Sequence, residues 1–525
     1  MDDTRFDALT RRHVGLAAGG LFASFLGLLR LEDAEADRKK RRRRRRRREK
    51  RRRRRHHDQP CQGVACGAAR PDIVLINVDD MRESDFIALT RTRALLKQQG
   101  ASFPNYFITT PLCGPSRASL FRGQYVHNHG VQKNNGANGG WKAWHNTGTD
   151  QDTVATWLRA AQYRTAHIGK HMNGYGSANS VVGPGWSEWI VPMPVSFFNY
   201  DLNVNGTTEP HGNAAADYLT DVMAAKAESV IASTPAGTPI FLYFAPKAPH
   251  GPATPAPRHV GAFASHQLDE SGSFNEADMS DKPDYMQRPP LTAQQVTDLE
   301  RRERDRLESL LSVDEAIERI VTALQAANRL PNTYIFFITD NGYLLGQHRH
   351  SGKLVPYEEA IRMSMLVRGP RVAAGSTNPA MVANIDLAPT FAALAGATTP
   401  GFVDGRSIVN TLTGGDSGRS AMLIEIFSAE DDDPEEADAL LPEALVAAPA
   451  RRRAIRTADW LYGEYGKPAT EFELYDLHTD LVQMESQHEN PARAETMADL
   501  SAWLGTLANC AGAACRSAEN SPAGS

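Results

Sequence analysis

Residues 72–80 read Asp72-Ile73-Val74-Leu75-Ile76-Asn77-Val78-Asp79-Asp80. A continuous apolar run of this length is what a strand needs when helices cover both faces of its sheet. The runs 240–244 and 334–338 repeat the pattern, and helical periodicities at 213–233 and 292–328 lie among them. This alternation predicts an α/β fold, with a mostly parallel central sheet flanked by helices. After residue 420 the rhythm changes. Short runs at 421–427, 453–456, 459–464 and 472–477 precede a helical stretch at 491–507. They predict a small C-terminal antiparallel sheet with one helix. Residues 262–290, polar and proline-containing, read as a long surface insertion, and 430–437 as an acidic loop.

The 525-residue chain is 41% hydrophobic and 23% charged, which excludes a mainly disordered, collagen-like or multi-span membrane protein. Its net charge of −4 averages two unlike parts. Residues 38–55 hold 17 Lys or Arg and one Glu, leaving 41 basic against 61 acidic residues elsewhere. The acidic body does not suit general nucleic-acid binding. Arg11-Arg12, the apolar stretch 14–29 and Ala34-Glu35-Ala36 read as a twin-arginine export signal over 1–36. The apolar stretch is short and glycine-rich for a membrane span. The sequence predicts an Arg-rich disordered linker over 37–70, a large main domain over 71–415 and a small subdomain over 416–525. Cys61/Cys66 and Cys510/Cys515 are C-x4-C pairs near the two ends. They suggest disulfides in an oxidising compartment, a four-Cys metal site being the other reading. Cys113 is left over.

Three strands end in chemistry-bearing residues: Asp79-Asp80, Pro246-Lys247-Ala248-Pro249-His250 and Asp340-Asn341-Gly342. Ligands of parallel sheets bind beyond the carboxyl ends of strands. Three carboxylates and an amide oxygen meeting there would form a hard, all-oxygen site suited to Ca²⁺ or Mg²⁺. The segment Pro111-Leu112-Cys113-Gly114-Pro115-Ser116-Arg117 continues to Arg122-Gly123. Pro115 favours a first helical turn, which puts Cys113 at a helix N-terminus suited to an anion. Arg117, one turn on, reaches the same anion.

The thirteen residues 111–123 resemble the signature of the formylglycine-dependent type I sulfatases. The resemblance extends through His127-Asn128-His129-Gly130, Gly169-Lys170, His250, Asp340-Asn341-Gly342-Tyr343, Lys353 and Glu473-Leu474-Tyr475-Asp476-Leu477. Gly169-Lys170-His171-Met172-Asn173-Gly174-Tyr175-Gly176 and Gly346-Gln347-His348 are most similar to the N-acetylglucosamine-6-sulfatase-like branch. The resemblance implies an alkaline-phosphatase-like fold and oxidation of Cys113 to formylglycine by a maturation enzyme. It implies a Ca²⁺ held by Asp79, Asp80, Asp340, Asn341 and residue 113. A hydrated formylglycine then attacks sulfur, with Arg117, Lys170 and Lys353 neutralising the sulfate and His250 protonating the leaving alcohol. Many arylsulfatases carry a His where Met172 stands, and the base of the second step is left open.

Lys133, His129, His171 and His348 are candidate substrate-binding residues. Trp141, Trp144 and Trp186 either stack on sugar or pack internally. The implied activity is hydrolysis of a sulfate ester, of a sulfated small molecule or glycan, by an exported enzyme without a stable membrane span. A phosphonate monoester or phosphodiester hydrolase is the alternative. A glycan-binding protein with unoxidised Cys113 is another.

Overall fold

Strand β1 (Asp72–Val78) is buried along its whole length, as its unbroken apolar run requires. The computed structural model describes residues 70–176, 181–270, 272–427 and 447–521. The signal over 1–36, the linker over 37–70 apart from Arg70, the Cys61/Cys66 pair and the acidic loop 430–437 lie outside them. The remaining strands of the main sheet are β2 (Ala101–Phe107), β3 (Arg164–Gly169), β4 (Glu188–Met193), β5 (Tyr200–Val204), β6 (Thr207–His211), β7 (Ile240–Ala245), β8 (Thr333–Thr339) and β9 (Arg362–Arg368), with two short edge pieces. Their order is β2-β9-β8-β1-β7-β3-β4-β5-β6. β1 pairs in parallel with both β7 and β8, and β3 in parallel with β7 and β4. β9 runs antiparallel against β2 and β8. The sheet is thus mostly parallel with antiparallel margins, and β1, β7 and β8 aim their carboxyl ends at one place.

The main helices are α1 (Cys113–Arg122), α2 (Leu219–Ser233), α3 (Ala293–Ala326), α4 (Leu387–Ala395) and α5 (Ala494–Leu507). α3 begins with a reciprocal cap. The Thr292 hydroxyl accepts from the Gln295 amide, and the Gln295 side chain accepts from the Thr292 amide. Leu307, Leu310, Val313, Ile317, Ile320 and Leu324 line its buried stripe at helical spacing. α1 stops at Gly123, whose φ of 66° is the left-handed conformation that glycine adopts freely.

The C-terminal strands β10 (Ala421–Ile426), β11 (Arg452–Thr457), β12 (Trp460–Gly466) and β13 (Ala469–Asp476) form an antiparallel sheet in chain order. Alternation divides its side chains. Leu423, Ile455, Tyr462 and Leu474 meet Leu500, Trp503, Leu504 and Leu507 of α5. Met422, Ile424, Ala454, Leu461 and Tyr475 face Phe107, Tyr357 and Ile361 of the main body. Cys510 and Cys515 are disulfide-bonded.

The insertion at 262–290 is a surface loop only in its first part: 262–270 are mostly exposed, but the remainder turns inward. Ser273, Phe274, Glu276, Met279, Lys282, Tyr285 and Met286 are all buried. A polar average concealed apolar anchors spaced through the segment.

One buried carboxylate fastens the small sheet to the body. Glu473 accepts from Tyr357 Oη at 2.7 Å, from Tyr475 Oη at 2.5 Å and from Tyr465 Oη. Burial pushes its carboxyl up, opposed by the three hydroxyls. Glu473→Ala strands three buried hydroxyls, so we expect a loss of about 3–5 kcal/mol of stability. Urea denaturation followed by tryptophan fluorescence measures it, and a loss below about 1 kcal/mol would contradict this role.

Candidate active site

β1 and β8 deliver Asp79-Asp80 and Asp340-Asn341 side by side, because they are paired in register up to Val78 and Thr339. Asp80 has a φ of 64°, unusual for a residue with a side chain. It is held there by its amide, which donates to Asp340 Oδ1 at 3.1 Å, and by its carbonyl, which accepts from Arg306 Nη2 at 2.5 Å. The N-terminus of α1 brings Cys113 over these carboxylates. Its Sγ lies 3.5 Å from Asp79 Oδ1 and 3.8 Å from Asp80 Oδ1. The thiol is fully buried.

Four basic side chains close around the acids. Lys170 Nζ donates to Asp79 Oδ2 at 2.6 Å. Lys353 Nζ lies 2.6 Å from Asp80 Oδ1 and 2.9 Å from Cys113 Sγ. Arg117 donates through Nε and Nη2 to Asp340 Oδ2, at 2.9 and 2.7 Å, and through Nη1 to the Lys170 carbonyl at 2.8 Å. His250 Nε2 stands 3.7 Å from Asp80 Oδ2, while its Nδ1 is 3.0 Å from the Gly251 carbonyl. An Nδ1–H facing that carbonyl leaves Nε2 directed at the acids.

The two strand-end acids divide the field unequally. Burial alone raises Asp79, but Lys170, His250, Arg117 and Lys353 outweigh it and hold its carboxyl well below the usual range. Asp340 is pushed up to about 7, first by burial and then by the charge of Asp79, against the pull of Arg117.

Asp79, Asp80, Cys113 and His250 each offer a ligand atom, all within 4.8 Å of one another. Asn341 Nδ2 donates to Asp80 Oδ1 at 2.6 Å, and its buried Oδ1 has no hydrogen-bond partner among the described residues. An orphaned amide oxygen beside three carboxylates fits a hard divalent cation. Asp340 adjoins this group, its oxygens turned to Arg117 and to the amides of Asp80 and Asn341.

Three candidate substrate residues are engaged elsewhere. His129 lies 2.9 Å from the Ser119 hydroxyl through Nε2 and accepts from the Val131 amide through Nδ1; burial, then Arg122, pushes its ring down to about 3. His171 is enclosed by Trp141, Trp144, Trp189 and Tyr175, and burial lowers its pKa well below the usual value. His348 is fully buried, its Nδ1 2.6 Å from Glu276 Oε2 and its ring against Tyr357. In this structure polar neighbours or aromatic rings take up the surfaces of all three. Trp141, Trp144 and Trp186 likewise pack together around Phe121 and His171. Lys133 is half-buried in the turn whose carbonyl accepts from Gly140.

Other contributors were not singled out from the sequence, although Ser116 lies within the 111–123 signature. Asn134 Oδ1 accepts from the Gly114 amide at 2.8 Å, fixing the first turn of α1. Ser116 donates to the Asp340 carbonyl, tying α1 to β8. Arg306 arrives from the middle of α3.

The family model described as Sulfatase matches residues 71–397, and that of the N-sulphoglucosamine sulphohydrolase C-terminal region matches 346–509. A Caenorhabditis elegans protein, "Putative extracellular sulfatase Sulf-1 homolog", is 36% identical over 64% of this chain, which spans only 48% of that relative. Human N-acetylglucosamine-6-sulfatase is 35% identical over 69% of this chain and 68% of its own length. A solved structure in complex with its substrate D-glucosamine-2-N,6-O-disulfate superposes with a TM-score of 0.70, at 24% identity, over 83% of this chain and 97% of the other. The chain belongs to the sulfatase family.

The raised Asp340 predicts how pH acts on this site. In metal-free protein its carboxyl takes up a proton as pH falls through about 7, and that proton opposes a cation. Divalent-cation affinity should rise between pH 6 and 8, with proton release on binding at the lower pH. Calorimetry in buffers of different ionisation enthalpy reads both, and a pH-independent affinity would contradict it.

Proposed function

We propose that this protein hydrolyses the sulfate ester of a sulfated sugar or glycan, with residue 113 as formylglycine and a bound Ca²⁺. The observation that carries the reading is Cys113 at the start of α1, beside Asp79 and Asp80 and 2.9 Å from the Lys353 ammonium. The names of its relatives, among them N-acetylglucosamine-6-sulfatase, support it.

Formylglycine would supply a hydrated aldehyde, one oxygen attacking sulfur and the other allowing sulfate to leave. Ca²⁺ held by Asp79, Asp80, Asp340, Asn341 and residue 113 would supply positive charge. The chain's own residues do the rest. Asp79, Asp80 and Asp340 balance Arg117, Lys170 and Lys353 formally, so a bound dication leaves the site at +2. A sulfate monoester, with one negative charge, is drawn to that surplus. Arg117, Lys170 and Lys353 stabilise the sulfate oxygens as charge shifts outward. His250, held by Gly251, hands a proton to the leaving alcohol. Burial around residue 113 keeps bulk water from weakening these interactions. Lys133 is a candidate contact to the sugar.

We further propose that the chain is exported through a twin-arginine signal and is matured by a formylglycine-installing enzyme. No helix of the described residues is long and apolar enough to cross a membrane.

A phosphodiester carries the same single charge as a sulfate monoester, so the two must be separated by experiment. Turnover of an aryl sulfate should exceed that of an aryl phosphodiester, and the reverse order would sink the sulfatase reading. The peptide containing residue 113 should weigh about 18 Da less than its cysteine form. An intact thiol in active protein would refute the mechanism. Cys113→Ala should reduce kcat by at least about 10⁴-fold with the folded state retained. Substantial residual turnover would be incompatible with covalent catalysis from residue 113.

A further inference from the structure

Lys353 reaches Cys113 and Asp80 from the end of a strained hairpin. Residues Leu344–Leu345 pair with Ser351–Gly352 across it. Within and just after the turn, Gly346, His348, Arg349, Gly352 and Leu354 have φ values of 102°, 49°, 52°, 128° and 70°. Three of these carry side chains, and left-handed backbone at such residues persists only where the surroundings enforce it.

The surroundings that enforce it come from the insertion. Asn275 N donates to the Gly346 carbonyl at 2.9 Å and His348 N to the Ser273 carbonyl at 2.8 Å, a short antiparallel ladder centred on Phe274 and Gln347. The Phe274 ring lies so close over Gly346 that a Cβ there would come within 2.2 Å of it. Arg349 turns its guanidinium back into the insertion and donates to three carbonyls: Glu276 at 2.7 Å, Arg288 at 2.7 Å and Ala277 at 2.8 Å. His348 Nδ1 meets Glu276 Oε2 at 2.6 Å, and Lys282 Nζ lies 3.0 Å from the other oxygen of Glu276. On the far side, Leu354 N donates to the Pro111 carbonyl at 3.2 Å, two residues before Cys113.

We propose that the insertion at 273–288, through Arg349 and the His348–Glu276 pair, is a brace that sets the position of the Lys353 ammonium against residue 113. Arg349 and His348 are positioning residues. A fork of five N–H donors can satisfy three converging carbonyls at once, which a lysine ammonium on a flexible stem does not reproduce. The brace rests on the proposed function only in that Lys353 serves the reaction at residue 113.

A double-mutant cycle on the mature, full-length enzyme tests it. Arg349→Ala should lower kcat about 100-fold, the scale of a misplacement of roughly 1 Å, with KM changed less than about threefold. Added to Lys353→Met, it should cost less than about twofold more, because its effect runs through that lysine. His348→Ala should behave alike, and His348→Asn, which keeps a donor for Glu276, should recover most of the loss. Independent, multiplying losses, or an Arg349→Ala enzyme with unchanged kcat, would overturn the brace.

Amide hydrogen exchange supplies a readout that needs no substrate. Exchange in the peptide spanning 346–354 should quicken at least about tenfold in Arg349→Ala while the β1 and β8 peptides keep their protection. Unchanged exchange at 346–354 would overturn the proposal even if the wild-type enzyme hydrolyses no sulfate ester, a result that would count against the function alone. If Arg349→Ala loses protection throughout, the same two measurements on His348→Ala decide.

Discussion

Three aspartates share one buried spot at the ends of β1 and β8, and much of the molecule serves to make that tolerable. Uncompensated, burial of so much like charge would cost several kcal/mol per ion. Lys170, Lys353 and Arg117 supply the opposing charge from three separate parts of the chain, and His250 stands beside them. The arrangement holds only while the elements carrying them are rigid. That requirement explains a sheet with buried central strands, a helix start pinned by Asn134 and Ser116, and a strained Asp80 clamped by Arg306.

Rigidity is built outward from that spot in layers. Arg306 is itself paired with Asp85 at 2.9 Å, and Asp85 with Arg82 at 3.1 Å. These pairs are buried and oppositely charged, so they act as fixtures rather than as gains in stability. The C-terminal sheet completes the other flank. It covers Tyr357 and offers Glu473 to the Tyr357 hydroxyl, next to the ring of His348. What looks like an appended subdomain thus forms part of the wall behind the lysine-bearing hairpin.

Legibility in the sequence followed the range of the interaction. β1, β7 and β8 were readable because a strand covered on both faces must be apolar at every position. The small sheet was readable from its closely spaced short runs. Asp79-Asp80, Asp340-Asn341, His250 and Cys113 stood out because each sits directly after a strand or at a helix start. His129, His171 and His348 were ambiguous for the converse reason. A histidine near a motif looks the same in sequence whether it meets a ligand, a serine hydroxyl or three indole rings. The insertion misled because its average polarity hid Phe274, Met279 and Tyr285, which are buried.

By itself the sequence determined the alternation of strands and helices, the oxygen-rich strand ends and the placing of Cys113 at a helix start. Each follows from local periodicity or from the backbone preferences of a few neighbouring residues. Only the tertiary structure decided which charges meet. Lys353 lies 240 residues from Cys113 and Arg306 lies 226 from Asp80, yet both are in hydrogen-bonding reach. No local pattern encodes such pairings, because they are set by how the sheet brings distant strand ends together and by which loops brace them.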